Sequence, residues 1–178
     1  KGPVLIDVPF DIQIKEVKKF EYPEDVKMRT YKPTIKGNAL QIKKVVSELE
    51  KAKKPLIYAG GGVILSDAKK ELVDFATEYQ IPVVSTMMGI SCMPTNHPLY
   101  FGMVGNNGSM VANKAIKEAD LIMMIGARAA DRSVNQPESM TDGKVLVHID
   151  VDPAEIGKNA GFSYPIVGDA KSIFEDFI

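Results

Sequence analysis

The chain has 178 residues, of which 45% are hydrophobic and 25% charged, and its net charge at pH 7 is −1. A chain of this size and composition can bury a core without disulfide or metal crosslinks. The single cysteine, Cys92, excludes an internal disulfide, and with only two histidines besides it we expect no metal site. No apolar run approaches the roughly 20 residues of a membrane span, and the N-terminus does not resemble a signal peptide, so we expect a cytoplasmic protein that contacts no membrane.

The charge is distributed unevenly along the chain. Residues 1–54 hold 13 Lys or Arg against 8 Asp or Glu, whereas residues 55–178 hold 9 against 15. A basic segment can bind nucleic acid, but these lysines alternate with acidic residues and no arginine cluster or stacking aromatic residues accompany them. We therefore expect a solvated linker and a charged helix face, and no nucleic-acid partner.

The first 35 residues differ in pattern from the remainder. Residues 4–8, which are apolar except for Asp7, predict a buried strand that stops at Pro9. From Phe10 to Lys36 there is no sustained period, and prolines interrupt a charged stretch. Because a lone strand has nothing to pair with, residues 1–35 are predicted to be the last strand of a preceding domain, which this chain lacks, followed by a linker. The domain proper is then predicted to span residues 36–178.

From Asn38 onward helical and strand patterns alternate. Asn38 is a candidate N-cap of a helix whose apolar stripe is predicted to be Leu40, Val45, Val46 and Leu49. Apolar runs predict strands at 55–59, 82–85, 121–125, 145–149 and 165–167. Amphipathic patterns predict helices at about 66–79, at 109–119 and from Ala170 onward.

This alternation predicts the fold class. Strands that are apolar throughout, separated by amphipathic helices, indicate a parallel sheet covered on both faces. Because crossovers between parallel strands are right-handed, we expect a doubly wound, Rossmann-like α/β sheet of about six strands. In such a sheet ligands bind beyond the carboxyl ends of the strands, where every candidate site residue lies.

Two glycine-rich stretches follow predicted strands. Gly60, Gly61 and Gly62 form either a tight turn or a loop that lets a ligand approach the backbone. They do not complete the dinucleotide fingerprint, because Leu65 stands where its third glycine belongs. Residues 102–108 are a flexible, glycine-rich loop that leads into a helix N-terminus, which is either a pyrophosphate site or a simple connection.

Charged residues follow the next two strands. Arg128 and Arg132 flank Asp131, and they suit either phosphate or carboxylate recognition or a surface ion pair. Asp150 can accept hydrogen bonds from ribose hydroxyls, while residues 152–155 also fit the cap and first turn of a short helix. His148, inside an apolar strand, is interpreted as a hydrogen-bonded core residue.

Methionines are frequent near these loops, where they form an apolar wall against a planar ligand or merely fill gaps: Met87, Met88, Met93 and Met103. No nucleophile and base can be paired from their spacing. The residues by themselves therefore predict a nucleotide-sized site without visible catalytic groups.

The same strand ends carry a family resemblance. The chain resembles the central domain of thiamine-diphosphate-dependent enzymes, in particular the catalytic subunit of the acetolactate synthase (acetohydroxyacid synthase) family. The most specific stretch is residues 148–159, and the likeness covers essentially the whole chain. The other matching stretches are residues 2–9, 59–63, 85–89, 97–99, 102–108, 126–128 and 167–169.

The resemblance implies a cofactor and a role. In that family the domain holds FAD in an extended form, and the flavin is not used in the net reaction, in which two 2-ketoacids are joined with loss of carbon dioxide during branched-chain amino acid biosynthesis. It implies that Arg132 faces the active site, near where the second ketoacid enters, and that this chain contains no catalytic residue. The implied cofactor contacts are Gly60, Gly61, Gly62, Thr86, Met87, Met88, Gly102, Met103, Asn107, Gly126, Arg128, Asp131, Asp150, Val151 and Asp169.

Two positions depart from the family pattern. Asn107 stands where His is usual, and Ala129 and Ala130 stand where Phe-Asp is usual. Related enzymes bind ADP at this place or bind nothing, so loss of FAD or its replacement by ADP stays an alternative. The residues are also compatible with a purely structural domain and with a free-standing nucleotide-binding module.

The resemblance also implies partners outside this chain. The family binds thiamine diphosphate and magnesium through a Gly-Asp-Gly run and a later Asn in its C-terminal domain, and the activating Glu lies in its N-terminal domain. Gly168, Asp169 and Ala170 do not match that run. We therefore expect the missing N- and C-terminal domains as partners, a homo-oligomer in the intact enzyme, and no carboligase activity from this chain alone.

Overall fold

The computed structural model describes residues 3–24, 33–134 and 137–177. It divides the chain between Pro33 and Thr34 into two units. The described part of the first unit contains one short helix, α1 (Phe10–Gln13). Residues 4–8, predicted to be a strand, form none and are exposed. The described part of the unit offers no neighbouring strand for backbone hydrogen bonds, so the assignment of these residues to the last strand of a preceding domain stays a prediction. Residues 25–32 of the predicted linker lie outside the described residues.

The second unit is an α/β sandwich around a parallel sheet. Its described strands are β1 (Pro55–Ala59), β2 (Val83–Ser85), β3 (Tyr100–Met103), β4 (Leu121–Ile125), β5 (Val145–Asp150) and β6 (Tyr164–Val167). Its described helices are α2 (Ala39–Lys51), α3 (Gly61–Leu65), α4 (Lys69–Glu78), α5 (Met110–Glu118) and α6 (Ala170–Phe177). Two short 3₁₀ turns cover Met87–Gly89 and Pro137–Met140.

The strand order confirms the predicted fold class. The described strands form one six-stranded sheet in the order β3-β2-β1-β4-β5-β6, and every neighbouring pair is parallel. This is the doubly wound order, in which the direction of winding reverses between β1 and β4. The carboxyl ends of both strands therefore lie side by side at the point where ligands bind in such sheets.

Strand β3 was not predicted from the sequence pattern. It contains Gly102 and Met103, which were predicted to lie in a loop. Its four residues are all only partly buried, and Gly102 has a φ of +96°. The β2–β3 register also shifts between Val83 and Val84. A short, irregular edge strand of this kind lacks the continuous apolar run that identifies the inner strands.

Two hydrophobic clusters cover the faces of the sheet. Alternate residues of a strand point to opposite faces, so Ile57 and Met123 join the cluster that contains Phe75 and Phe174. Tyr58 belongs to the second cluster, on the other face. Within the described ranges no helix is both long and apolar enough to cross a membrane.

Helix α2 begins as predicted but buries a different face. The Asn38 Oδ1 accepts hydrogen bonds from the backbone N–H groups of Leu40 (3.0 Å) and Gln41 (3.3 Å), which confirms the cap. The buried residues are Ile42 and Val45, whereas Leu40 is 71% exposed and Val46 37%. About 200° of helical turn separates Leu40 from Ile42, so the two cannot share one stripe.

The helix predicted at about 66–79 begins later than expected. Asp67 has a φ of +56°, which interrupts the helical backbone, and α4 starts at Lys69 after a separate short helix α3. The helix predicted at 109–119 matches α5 to within one residue at each end, with Ser109 as its cap.

Two adjacent valines of α2 test which face of the helix holds the domain together. The exchange Val45→Ala removes two methyl groups from a fully buried side chain, and we expect a loss of about 2 kcal/mol in the free energy of unfolding. The matched exchange Val46→Ala should change it by no more than about 0.5 kcal/mol. Urea denaturation of both variants measures this, and equal losses would contradict the assigned face.

Candidate functional site

The candidate site lies where β1 and β4 end side by side. The Gly60 N–H donates to the Ile125 carbonyl (2.9 Å), and the Gly62 N–H donates to the Gly126 carbonyl (3.0 Å). The Gly126 N–H in turn donates to the Ile149 carbonyl of β5 (2.8 Å). Backbone hydrogen bonds thus continue past the ends of β1 and β4, and they tie the two loops that follow these strands to each other and to β5.

The glycines at this edge are required by close backbone packing. A Cβ at Gly62 would lie 2.6 Å from the Gly126 Cα, and a Cβ at Gly60 would collide with the Gly126 carbonyl. Gly126 itself has a φ of +57°, in the left-handed region that favours glycine. Gly61 differs, because its Cβ would meet the Met88 side chain at 3.1 Å. Gly60 and Gly62 therefore allow β1 to pass into α3 directly against Gly126, and Gly61 faces the segment after β2.

The segment after β2 presents apolar side chains to solvent. Met87 and Met88 are 72% and 75% exposed, while Met93 is buried in the core. The Thr86 Oγ1 accepts a hydrogen bond from the Gly89 N–H (3.1 Å), which closes this short turn. Met93 therefore fills a gap in the core, whereas Met87 and Met88 remain available as a wall for a ligand.

The loop at residues 102–108, expected to be flexible, is held by α5. The Asn113 side chain accepts from the Gly105 N–H (2.9 Å) and donates to the Gly105 carbonyl (3.0 Å). The Ser109 Oγ donates to the Phe101 carbonyl (2.8 Å) and accepts from the Ala112 N–H (3.0 Å). Asn107 is exposed, and Met103 is partly buried. Asn113 was missed from the sequence because nothing local distinguishes it from other polar residues on an amphipathic helix.

The two arginines after β4, Arg128 and Arg132, form no surface ion pair with Asp131, although such a pair was one of the two interpretations of this stretch. Arg128, Asp131 and Arg132 are all exposed, and none takes part in an ion pair of the described residues. Their backbone is anchored, since the Asn159 Nδ2 donates to the Arg128 carbonyl (2.7 Å) and the Asn106 N–H to the Arg132 carbonyl (3.3 Å). Both guanidinium groups can therefore receive a phosphate or carboxylate.

His148 is a core residue, as expected, and it supports this edge. It is 2% exposed, its Nε2 lies 3.2 Å from the Ala127 carbonyl, and its Nδ1 accepts the Gly157 N–H at 3.3 Å. These partners require a neutral ring with its proton on Nε2. Burial lowers the pKa of His148 below its ordinary value, which keeps the ring neutral.

The carboxylates after β5 and β6 have different surroundings. One oxygen of the half-buried Asp150 accepts the Asp152 N–H (2.9 Å), and burial raises the pKa of Asp150. Val151 beside it is 49% exposed. The Asp169 Oδ1 accepts the N–H groups of Lys171 (3.0 Å) and Ser172 (3.4 Å), so this side chain caps α6. The short helix considered at 152–155 does not form, and these residues make a turn instead.

The structure thus distributes the predicted residues along one edge of the sheet. Gly102 belongs to β3 and Asp169 follows β6, at opposite ends of a six-stranded sheet. With strands roughly 4.8 Å apart, the edge between them is about 24 Å long. Only an extended ligand can contact both ends, whereas a compact one can reach the central group after β1, β2, β4 and β5.

Two hollows among the described residues lie elsewhere. One of about 490 Å³ lies between α4 and residues 90–95, and one of about 340 Å³ lies at the amino ends of β1 and β2. Of the residues considered for the site, only Met93 lines one of them, the larger. Burial raises the pKa of Cys92, beside the larger hollow, to about 11, so its thiol stays protonated at neutral pH. The described ranges also contain no group of three or more His, Cys, Asp or Glu residues that could hold a metal ion.

Comparison with known proteins identifies similar chains. The family model described as "Thiamine pyrophosphate enzyme, central domain" matches residues 42–177. A "Probable acetolactate synthase large subunit" of Methanococcus aeolicus is 45% identical over 99% of this chain and 30% of its own length. The acetolactate synthase large subunit of Haemophilus influenzae is 41% identical over 99% of this chain and 31% of its own. That of Corynebacterium glutamicum is 41% identical over 97% and 27%. The chain thus spans about three-tenths of the length of these curated relatives.

A methyl group at Gly62 tests the close approach of β1 and β4. We expect Gly62→Ala to lower the free energy of unfolding by about 1–3 kcal/mol, because its Cβ meets the rigid backbone of Gly126. Gly161→Ala is the matched control, since its Cβ would have only Thr141 near it, at 3.8 Å. Urea denaturation compares the two, and a tolerated Gly62→Ala would contradict the packing described.

The buried His148 predicts a pH dependence of stability. Because its pKa is lower in the folded state than its unfolded value of about 6.5, the unfolded chain binds more protons and stability falls as pH drops below 6.5. His148→Gln should show a smaller fall between pH 7 and pH 5. The raised pKa of Asp150 has the opposite effect on stability, at lower pH, and this effect is present in both the wild type and His148→Gln. Parallel curves for the wild type and the variant would refute the assignment to His148.

Proposed function

The chain belongs to the family of thiamine pyrophosphate enzyme central domains, and we propose that it holds FAD in an extended form within an acetolactate synthase-like enzyme. The observation that carries the proposal is Arg128, an exposed guanidinium without an ion pair among the described residues, at the point where the sheet reverses its winding. An unpaired cation at this point is suited to a pyrophosphate group.

The neighbouring residues fit the remaining parts of such a ligand. Met87 and Met88 offer exposed apolar surface to a planar ring system. Asp150 has one oxygen bonded to the backbone and keeps acceptor capacity for ribose hydroxyls, which would stabilise its ionised form against the effect of burial. The length of the edge suits an extended ligand, with Gly102 and Asp169 as the outermost proposed contacts.

The residues of this chain bind and orient the cofactor and do not transform the substrate. By resemblance to the family, FAD supplies a flavin ring that the net joining of two 2-ketoacids neither oxidises nor reduces. Arg128 would hold its phosphates, and the segment Thr86–Met88 would contact its rings. We propose that Arg132, four residues further along, points to the place where the second ketoacid enters.

The activity of the whole enzyme is part of this proposal. The relatives named acetolactate synthase are about three times longer than this chain. We infer that thiamine diphosphate and Mg²⁺ are bound by domains outside the 178 residues, in a cytoplasmic homo-oligomer. The 178 residues alone are accordingly expected to lack carboligase activity.

A second candidate function is an ADP-binding or purely structural domain. Ala129, where the family usually carries an aromatic residue, is 1% exposed and has a φ of +48°. This position therefore presents no ring to a ligand, and the exposed Asn107 presents no imidazole. Both features favour a smaller ligand, or none, over a tightly held flavin.

Released ligand distinguishes these candidates. The protein is purified with and without added FAD, washed, denatured, and its supernatant examined by absorbance and mass spectrometry. Equimolar FAD supports the proposal, and ADP supports the second candidate. A supernatant without nucleotide from both preparations supports the structural role and contradicts the first.

Arg128 provides the corresponding variant. We expect Arg128→Met to raise the Kd for FAD, and for ADP, by about tenfold or more, because a hydrogen bond to a charged group is worth about 1.5–3 kcal/mol. Lys44→Met in α2 removes the same charge from an exposed position on a helix that contains no predicted site residue. Flavin fluorescence titration measures both, and an equal effect of the two exchanges would show that only net charge matters.

A further inference from the structure

Asn113, on α5, holds the loop at residues 102–108 through both ends of its side-chain amide. Its Oδ1 accepts the Gly105 N–H (2.9 Å), and its Nδ2 donates to the Gly105 carbonyl (3.0 Å). Gly105 is buried, and its N–H has no other acceptor among the described residues. Because a buried N–H without an acceptor is unfavourable, the backbone at Gly105 depends on the Asn113 amide.

Gly105 in turn lies directly against the backbone of the segment after β4. A Cβ at Gly105 would collide with the Arg132 carbonyl, and it would lie 2.9 Å from the Ser133 Cα. The next residue adds a hydrogen bond, because the Asn106 N–H donates to the Arg132 carbonyl (3.3 Å). The backbone of Arg132 is therefore held relative to α5 by way of Gly105 and Asn106.

The backbone of Arg128, four residues earlier, has a different support. The Asn159 Nδ2, in the loop between β5 and β6, donates to the Arg128 carbonyl (2.7 Å). The described side-chain hydrogen bonds of Asn113 and Asn159 have no partner in common. The two arginines are thus held by two different asparagines, and each support can be removed while the other stays in place.

The strand order relates the two supports to different parts of an extended FAD. In the proposed arrangement Asp150, after β5, binds the ribose of the adenosine half, and Arg128, after β4, binds the phosphates. Residues 86–88, after β2, contact the flavin. Strand β3 is the next strand beyond β2, at the border of the sheet, so the loop at residues 102–108 that follows it lies towards the flavin end. ADP ends at its phosphates and does not extend to that loop.

We propose that Asn113 is a positioning residue that favours FAD over ADP: it holds residues 102–108 against Arg132 and so shapes the flavin end of the site. It acts through Gly105 and not by contact with the ligand. This rests on the proposed FAD-binding function. The contacts are already present in the chain without ligand, so no movement on binding is required. Without the Asn113 amide a ligand would have to order the loop itself, and that cost would fall on FAD and not on ADP.

Titration of the full 178-residue chain with FAD and with ADP, by calorimetry, tests the proposal. Asn113→Ala should raise the Kd for FAD about three- to tenfold, as expected for the loss of one or two hydrogen bonds, and should change the Kd for ADP less than about twofold. Asn159→Ala is the matched control. It loosens Arg128, whose phosphate contact both ligands share, so it should raise both Kd values by the same factor. A general loss of stability would not separate the two ligands.

Asn113→Asp is a milder exchange that keeps the test available if Asn113→Ala does not fold. It retains an acceptor for the Gly105 N–H and loses only the donor to the Gly105 carbonyl, which also accepts the Gly108 N–H (2.9 Å). We expect a Kd for FAD between those of the wild type and Asn113→Ala. The added negative charge repels both ligands, so the ratio of the two Kd values is the quantity to compare.

Amide hydrogen exchange without ligand reads the contact directly. Exchange at the Asn106 N–H should be faster in Asn113→Ala than in the wild type and unchanged in Asn159→Ala. Unchanged exchange in Asn113→Ala, an unchanged Kd for FAD, or equal changes for FAD and ADP would each overturn the role of Asn113 alone.

The wild type tests the proposed function separately. If it binds neither nucleotide, or ADP only, the proposed FAD-binding function is refuted, and the role of Asn113 falls with it. If it binds FAD but not ADP, the adenosine half does not lie at Arg128 and Asp150 as assumed, and the proposed preference is overturned.

Discussion

The close approach of two backbones, at Gly62 and Gly126, is the constraint on which the candidate site depends. A Cβ at either position would meet the backbone of the other. The ends of β1 and β4 can therefore lie this close only because both residues are glycine. The resulting hydrogen bonds extend the sheet beyond its strands. Consequently Arg128, two residues after Gly126, is placed by the sheet itself, while its side chain stays exposed. A rigid backbone with exposed polar and apolar side chains is the arrangement expected of a preformed ligand site.

The loops at this edge are held by hydrogen bonds from neutral polar side chains and not by ion pairs. The His148 ring contacts the Ala127 carbonyl and the Gly157 N–H, and Asn159 holds the Arg128 carbonyl. Asn113 holds Gly105 from α5 in the same way. Because these supports carry no charge, the guanidinium groups keep their full attraction for an anion.

Much of the fold was predictable because inner parallel strands are continuous apolar runs, as in Leu121–Ile125, and because Asn38 and Ser109 are strong helix caps. The family resemblance, carried mainly by residues 148–159, is confirmed by the family model. Local patterns missed β3, whose Gly102 has a positive φ, and misplaced the buried face of α2, which depends on where the helix lies against the sheet. They also missed Asn113, because its hydrogen bonds to Gly105 join a helix to the loop before it and nothing in the local pattern marks that residue.

The central claim is that a nucleotide lies along the carboxyl edge of this sheet. The most direct measurement is amide hydrogen exchange of the chain with and without saturating FAD, mapped along the sequence. The account predicts new protection at residues 60–62, 86–88, 126–128 and 150–151, in the loops that follow four neighbouring strands. Protection confined to the hollow beside Val73 and Cys92, with unchanged exchange in those four loops, would contradict it.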